Sequence, residues 1–210
     1  MIKYFTEKVQ KRWMVRYTML ILTGVFLTFT STAQEKVQLN MNSNTSLSFD
    51  GTSNVHDWEC KVTEIKGQGA FLQSLFNGNE IPETPVKNVQ VTIPVKSIKS
   101  GKGGMDKVMY DALKIEEHPE IKYELISSEV IQKTENEFTL QTQGYLTVAG
   151  VTKEIGLQVN GKKMDDNSIE FTGSQNLKMT EFNVDPPKAL FGAIKSGNGV
   201  DVQFKAVFSK

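Results

Sequence analysis

The residues best suited to chemistry lie together in His56-Asp57-Trp58, two positions before the chain's single cysteine, Cys60. Adjacent His and Asp side chains make an acid–base pair only if both reach one proton, at a heavy-atom distance of about 2.6–3.2 Å. In a strand, neighbouring side chains point to opposite faces, so the pair need not converge. The sequence has no Ser in a Gly-x-Ser-x-Gly setting and no Cys-His spacing typical of a nucleophilic enzyme. His56 and His118 are the only histidines, too few with one Cys for a typical zinc site. The expected roles are therefore structural. His56 and Asp57 serve turn backbone groups, Trp58 is buried, and Cys60 is a small apolar side chain that has no partner for an internal disulfide. No catalytic residue, metal or cofactor is expected. A second candidate group, Lys188 and Lys195 with the glycine-containing loop 192–199, offers ammonium charge and backbone donors to an anionic head group. Its competing reading is a solvated surface loop.

These groups are positioned by a chain written mostly in a two-residue period. Leu47 and Phe49 alternate with polar neighbours, as do Val89, Val91, Ile93 and Val95, and Ile121, Tyr123 and Leu125. Phe138, Leu140, Thr142, Gly144, Leu146 and Val148 share one face; Ile155, Leu157, Val159, Ile169 and Phe171 follow, and Val200 to Phe208 closes the chain. Such alternation marks antiparallel strands with one wet face. Turns are expected at Ala149-Gly150, Asn160-Gly161 and Asp165-Asp166-Asn167. Pro94, inside a strand pattern, predicts an edge, a bulge or a strand end. One segment breaks the period: Met105, Val108, Met109, Ala112 and Leu113 fall at helical spacing, after Gly101, Gly103 and Gly104 and before His118-Pro119. About eight strands and one helix predict an all-β, up-and-down barrel, since closure removes exposed edges. A barrel of that size is either filled by side chains or holds one small ligand.

The N-terminus has a different composition. Lys3, Lys8, Lys11, Arg12 and Arg16 precede the uncharged run Met19–Phe29, and Ser31-Thr32-Ala33 supplies small residues for cleavage. This order predicts a secretory signal peptide over residues 1–33. The apolar run is shorter than the roughly 20 residues needed to cross a hydrocarbon core of about 30 Å. No Cys lies at the cleavage point, which argues against a lipid-anchored lipoprotein, and Met14 and Met19 are alternative starts. Residues 1–33 carry five of the 24 basic residues and one of the 24 acidic ones, leaving 177 residues with a formal charge of about −4. That balance does not resemble a nucleic-acid binder. Residues 34–45 read as a leading strand or an N-terminal arm, and residues 46–210 as the barrel domain. The expected location is periplasmic or secreted. Oligomeric state is left open, a dimer being one option.

Four segments, taken in order, resemble a known family. They are Gly51–Trp58; Val91–Ile98 leading into Met105–Leu113 and His118–Tyr123; Gly144–Lys153, close to a G-x-L-T-(apolar)-x-G-V-T-K hairpin; and Phe182-Asn183-Val184-Asp185-Pro186-Pro187 with the loop 192–199. Together they resemble the YceI-like family, in its Bacteroidetes-type form with a His-Asp-Trp segment, over about residues 44–208. The sequence departs from the family pattern at Asn183, where Gly is common, at Thr180-Glu181-Phe182, and at Gly104-Met105-Asp106, which lacks an obvious basic residue at the helix start. The resemblance implies a lipocalin-like eight-stranded antiparallel barrel, with a helix near one end, that holds a polyisoprenoid or similar amphiphile in an apolar tunnel.

The walls of such a tunnel would come from Phe49, Trp58, Phe71, Val91, Ile93, Met109, Leu113, Tyr123, Leu125, Leu146, Val148, Leu157, Phe171, Phe182 and Phe191. Each buried CH₂ of a lipid tail gains about 0.8 kcal/mol without needing a directional partner. The expected function is an exported carrier of a long-chain amphiphile. The alternatives are a solidly packed barrel serving as a structural or interaction module, and an enzyme using His56 and Asp57.

Overall fold

A computed structural model describes residues 34–78, 80–164 and 166–210; the leader expected over residues 1–33 lies outside the described residues. Its strands are β1 (Lys36–Met41), β2 (Ser46–Ser53), β3 (Trp58–Val62), β4 (Lys66–Leu72), β5 (Val86–Pro94), β6 (Ile98–Lys99), β7 (Glu120–Lys133), β8 (Glu137–Val148), β9 (Val151–Lys163), β10 (Ile169–Lys178), β11 (Lys188–Ala189) and β12 (Ile194–Ser209). A single helical turn, α1 (Ser74–Asn77), follows β4, and the main helix is α2 (Gly103–Ala112).

Several of these strands are halves of longer ones. β1 and β2 run end to end along β12, with Met41 opposite Phe208 and Ser46 opposite Lys205. β4 and β3 continue one another along them in the same way. β5 and β6 are joined through the 3-10 turn Val95–Ser97. Merged, the units β1/β2, β3/β4, β5/β6, β7, β8, β9, β10 and β12 form a closed eight-stranded antiparallel barrel, in which each strand pairs with its chain neighbour and the last closes on the first.

Side chains explain the interruptions. Asn42 Oδ1 accepts from the Asn44 backbone N–H at 2.9 Å, turning the chain between β1 and β2. Ser97 Oγ lies 2.9 Å from Glu64 O and 2.7 Å from Pro94 O, so its one hydroxyl proton is shared between carbonyls at the breaks in both neighbouring strands. Pro94 is the last residue of β5, a strand end as its missing N–H requires. The polar opening segment is therefore a barrel strand, β1, and not a loose arm. The Ala149-Gly150 turn joins β8 to β9 with both φ values positive (47° and 80°), the geometry of a two-residue hairpin. Asn160-Gly161, expected as a turn, instead lies inside β9. Gly161 sits between Phe138 and Phe171 as its Cα partners, and the Phe138 ring lies on it. In β7, register shifts after Leu125 and after Val130 leave Ile126 and Ile131 as the extra residues, and both are exposed.

The interior is divided in two. At the α1 end, Phe71, Phe138, Phe171 and Phe208 interlock with ring centroids 5.3–6.1 Å apart. Leu39, Leu75, Ile81 and Ile169 complete a dry plug there. At the other end α2 packs across the barrel, its Met105, Met109 and Leu113 against Leu47, Cys60, Ile93, Ile98 and Ile121. Among the described residues, no helix is long and apolar enough to cross a membrane.

Candidate functional site: an apolar cavity under helix α2

Above the aromatic plug the barrel is hollow. A cavity of about 520 Å³ runs from Phe171 and Phe208 to the α2 end, within the roughly 300–1,000 Å³ range of small-molecule sites. Its walls alternate along each strand: Leu47 and Phe49 on β2, Val89, Val91 and Ile93 on β5, and Ile121, Tyr123 and Leu125 on β7. Leu146 and Val148 on β8, Ile155 and Leu157 on β9, and Val200, Val202 and Phe204 on β12 complete them. Met105, Val108, Met109, Ala112 and Leu113, the apolar face of α2, make the ceiling. No residue of α2 is fully buried; its apolar face packs in part on the wall residues and in part borders the cavity.

Aromatic rings fit these walls by lying over glycines. Trp58 crosses Gly51, where an added Cβ would overlap the indole, and Tyr123 crosses Gly144 in the same manner. The Trp58 Nε1–H donates to Thr52 O at 3.0 Å and to Ser196 Oγ at 3.1 Å, fixing the ring beside the rim. Burial pushes the Tyr123 phenol above its ordinary range, opposed by a hydrogen bond with Thr142. Cys60 is a free, buried thiol on the cavity wall, pushed up to about 11 by burial and then by the charges of Asp106, Asp50 and Glu59. It is neutral at physiological pH and behaves as the small apolar residue expected.

The rim is basic. The charged residues lining the cavity are all cationic or imidazole: Lys102, Lys178 and Lys188 stand at the α2 end with His56, Lys205 lies further along β12 opposite Ser46, and no Asp or Glu joins them. Helix α2 is tied down beside this rim. The Asp106 carboxylate accepts from Ser100 N at 2.8 Å and from Ser100 Oγ at 2.5 Å. Burial works against that charge, but the Ser100 side-chain and backbone hydrogen bonds and nearby Lys99 hold Asp106 below the usual carboxylate range. Tyr110 Oη donates to Ile98 O at 2.8 Å and accepts from Lys99 Nζ at 2.8 Å, so the helix is also fastened to β6.

The barrel wall itself opens at this end. β9 and β10 pair only from Val159 to Lys163 and from Ile169 to Gly173. Beyond that, the 3-10 turn Met179–Phe182 covers the split, with Phe182 and Val184 packed on Ala149 and near Val148, Val151 and Leu177.

Of the residues expected to form the tunnel, Phe49, Trp58, Val91, Ile93, Met109, Leu113, Tyr123, Leu125, Leu146, Val148, Leu157, Phe171 and Phe182 line the cavity. Two do not. Phe71 is inside the barrel but fully buried in the plug, stacked 6.0 Å from Phe171, and does not line the cavity. Phe191 lies outside, on a turn after β11, fully exposed to solvent. The strand walls Leu47, Ile121, Ile155, Val200, Val202 and Phe204 also line the cavity, and the same alternation would have found them.

His56 and Asp57 form no acid–base pair. His56 Nδ1 contacts the Asp57 backbone carbonyl at 2.8 Å, not its carboxylate. The His56 backbone is held by Ser53 Oγ, which accepts from His56 N at 3.1 Å and donates to His56 O at 2.7 Å. The segment is a hydrogen-bonded turn that presents Trp58 to the rim. Among the described residues, no group of three or more His, Cys, Asp or Glu side chains converges as a metal site.

The YceI-like domain family model matches residues 40–208, from the last residues of β1 to the penultimate residue of β12. The chain belongs to the YceI-like family. Solved structures of similar fold include Burkholderia cenocepacia BcnA, with a TM-score of 0.62 at 16% identity, covering 78% of this chain and 96% of that one. A polyisoprenoid binding domain from Saccharophagus degradans, implicated in plant cell wall breakdown, gives 0.60 at 12% identity, covering 83% and 99%. The Campylobacter jejuni YceI protein gives 0.54 at 18% identity, covering 72% and 84%. At these identities the likeness is one of fold. Comparison with curated protein sequences finds no match. The YceI-like barrel also accounts for Asn183, which stands where the family commonly has Gly. It closes the Met179–Phe182 turn at φ 54°, ψ 32°, a left-handed conformation that Asn tolerates better than most residues. At the helix start, Lys102 supplies a basic residue at the rim, one position before α2.

Proposed function

We propose that this protein is an exported carrier that holds a long-chain amphiphile, of the polyisoprenoid class, tail-first in the barrel without chemical change. The observation that carries the reading is the lining: an apolar hollow above an aromatic plug, with three of its four lysines gathered at the α2 end. An aliphatic or prenyl tail is the natural occupant, since its burial needs no directional partners and replaces water against apolar walls. The rim lysines Lys102, Lys178 and Lys188 favour an anionic head group, such as a phosphate or carboxylate, left at the opening. The solved neighbour described as a polyisoprenoid binding domain supports the same class of cargo. The basic, apolar and small-residue order of residues 1–33 supports export, with residues 34–210 as the working protein.

The test is organic extraction of protein purified from its native host, followed by mass spectrometry. A lipid near one equivalent per chain is expected, and a fluorescent polyene should bind the stripped protein and be displaced by that lipid. An empty extract together with no polyene uptake would overturn the proposal.

A further inference from the structure

We infer that the hairpin between β11 and β12 is a membrane-docking element, which seats the open end of the barrel on an anionic lipid bilayer through Leu190 and Phe191. The inference goes beyond the carrier reading and does not draw on the apolar cavity walls. At the hairpin tip, Phe191 is 113% exposed and Leu190 69%, more than any other large apolar side chains in the described residues. Both are held at positive φ (57° and 50°), followed by Gly192 at 89°. Left-handed backbone is unfavourable for residues with a side chain. Here it brings neither residue into contact with the core, so its effect is to hold both outward.

A second local cost has the same direction. Lys188 and Lys195 are Cα partners across β11 and β12, so two like charges face each other in the hairpin stem. Neither forms an ion pair among the described residues; Asp57 and Asp185 stand exposed in neighbouring loops without pairing to them. An apolar tip with an uncompensated cationic stem matches an interface of anionic head groups over hydrocarbon. The platform is rigid: Asn54 donates from Nδ2 to Ala193 O at 2.9 Å and accepts from Lys195 N at 2.7 Å on Oδ1. That clamp holds exposed Val55, 60% accessible, beside the tip. Lys188 also lines the cavity, so docking would bring the rim to the head-group layer.

The test is flotation with vesicles of phosphatidylglycerol and phosphatidylcholine in equal parts, and with vesicles of phosphatidylcholine alone, at low and high salt. Any retained leader is common to all variants. The wild type should bind the anionic vesicles in a salt-sensitive way. L190S/F191S should weaken binding on the order of tenfold or more. K188Q/K195Q should remove the preference for phosphatidylglycerol, and I131S, at an exposed bulge of the plug end, should change nothing. Polyene uptake in solution separates the two readings. L190S/F191S should retain it, and a wild type that docks while taking up no polyene and giving an empty extract would defeat the carrier reading and leave docking standing. Equal vesicle binding by wild type and L190S/F191S would overturn docking. So would a wild type that ignores both vesicles, or one that self-associates through this hairpin instead.

Discussion

The indole of Trp58 lies across Gly51, its Cα partner on the neighbouring strand, so closely that the glycine has no room for a single carbon more. That contact and the two Nε1–H bonds to Thr52 and Ser196 place an aromatic ring at the junction of wall and rim. Gly51→Ala is expected to displace the ring and cost about 1–3 kcal/mol, the usual penalty for overpacking. Chemical denaturation and tryptophan emission would register both effects. An unchanged midpoint and spectrum would mean that the ring has another resting place.

Two substitutions distinguish the hollow from the plug. Leu146→Trp adds bulk into open space, so it should cost at most about 1 kcal/mol, the low end for overpacking, yet abolish polyene uptake. Phe171→Ala removes a ring from the interlocked cluster and should cost about 3–5 kcal/mol. If Leu146→Trp bound polyene as well as the wild type, the cavity under α2 would not be the binding space.

The Asp106 anchor predicts an acid dependence with a definite sign. Its carboxyl lies below its ordinary value near 3.8 in the folded protein, so it adds stability at higher pH and loses that contribution as pH falls through the folded value. The stability of α2 should therefore weaken only below about pH 4. Asp106→Asn should be less stable than the wild type at neutral pH, with the difference shrinking in acid. Thermal midpoints measured from neutral pH downward would read this out.

Cys60 should resist alkylation. A thiol pushed up to about 11 has little thiolate at pH 8, and the side chain is buried. Iodoacetamide should modify it only slowly in the folded state and rapidly in denaturant. Because Cys60 borders the cavity, added amphiphile should slow the reaction further. Rapid labelling without denaturant would show that the α2 end opens widely.

The alternation on β8, with Phe138 through Val148 on one face, announced a barrel strand because each residue kept its phase along the whole 12-residue strand. β3 alternates too, Trp58, Cys60 and Val62 against Glu59 and Lys61, but over only five residues, and β4 gave no such signal. Gly67 and Gly69 stand where apolar residues would have marked the period; their small size instead receives Met41 and Phe71. Period also identifies a face without telling what lies opposite it. Phe71 and Val91 both point inward, one into packed rings and the other into space, and that difference depends on partners far away in sequence. Phe191 looked like wall because it is aromatic, but the left-handed turn that exposes it has no marker in its residue types.

The aromatic plug at the α1 end turns the barrel into a vessel with a sealed base. Anything elongated that enters must keep one polarity throughout its stay and depart in reverse order, its trailing end leading. Loading and unloading then compete for a single threshold, and a receptor for the cargo would have to approach from the side where Phe191 stands.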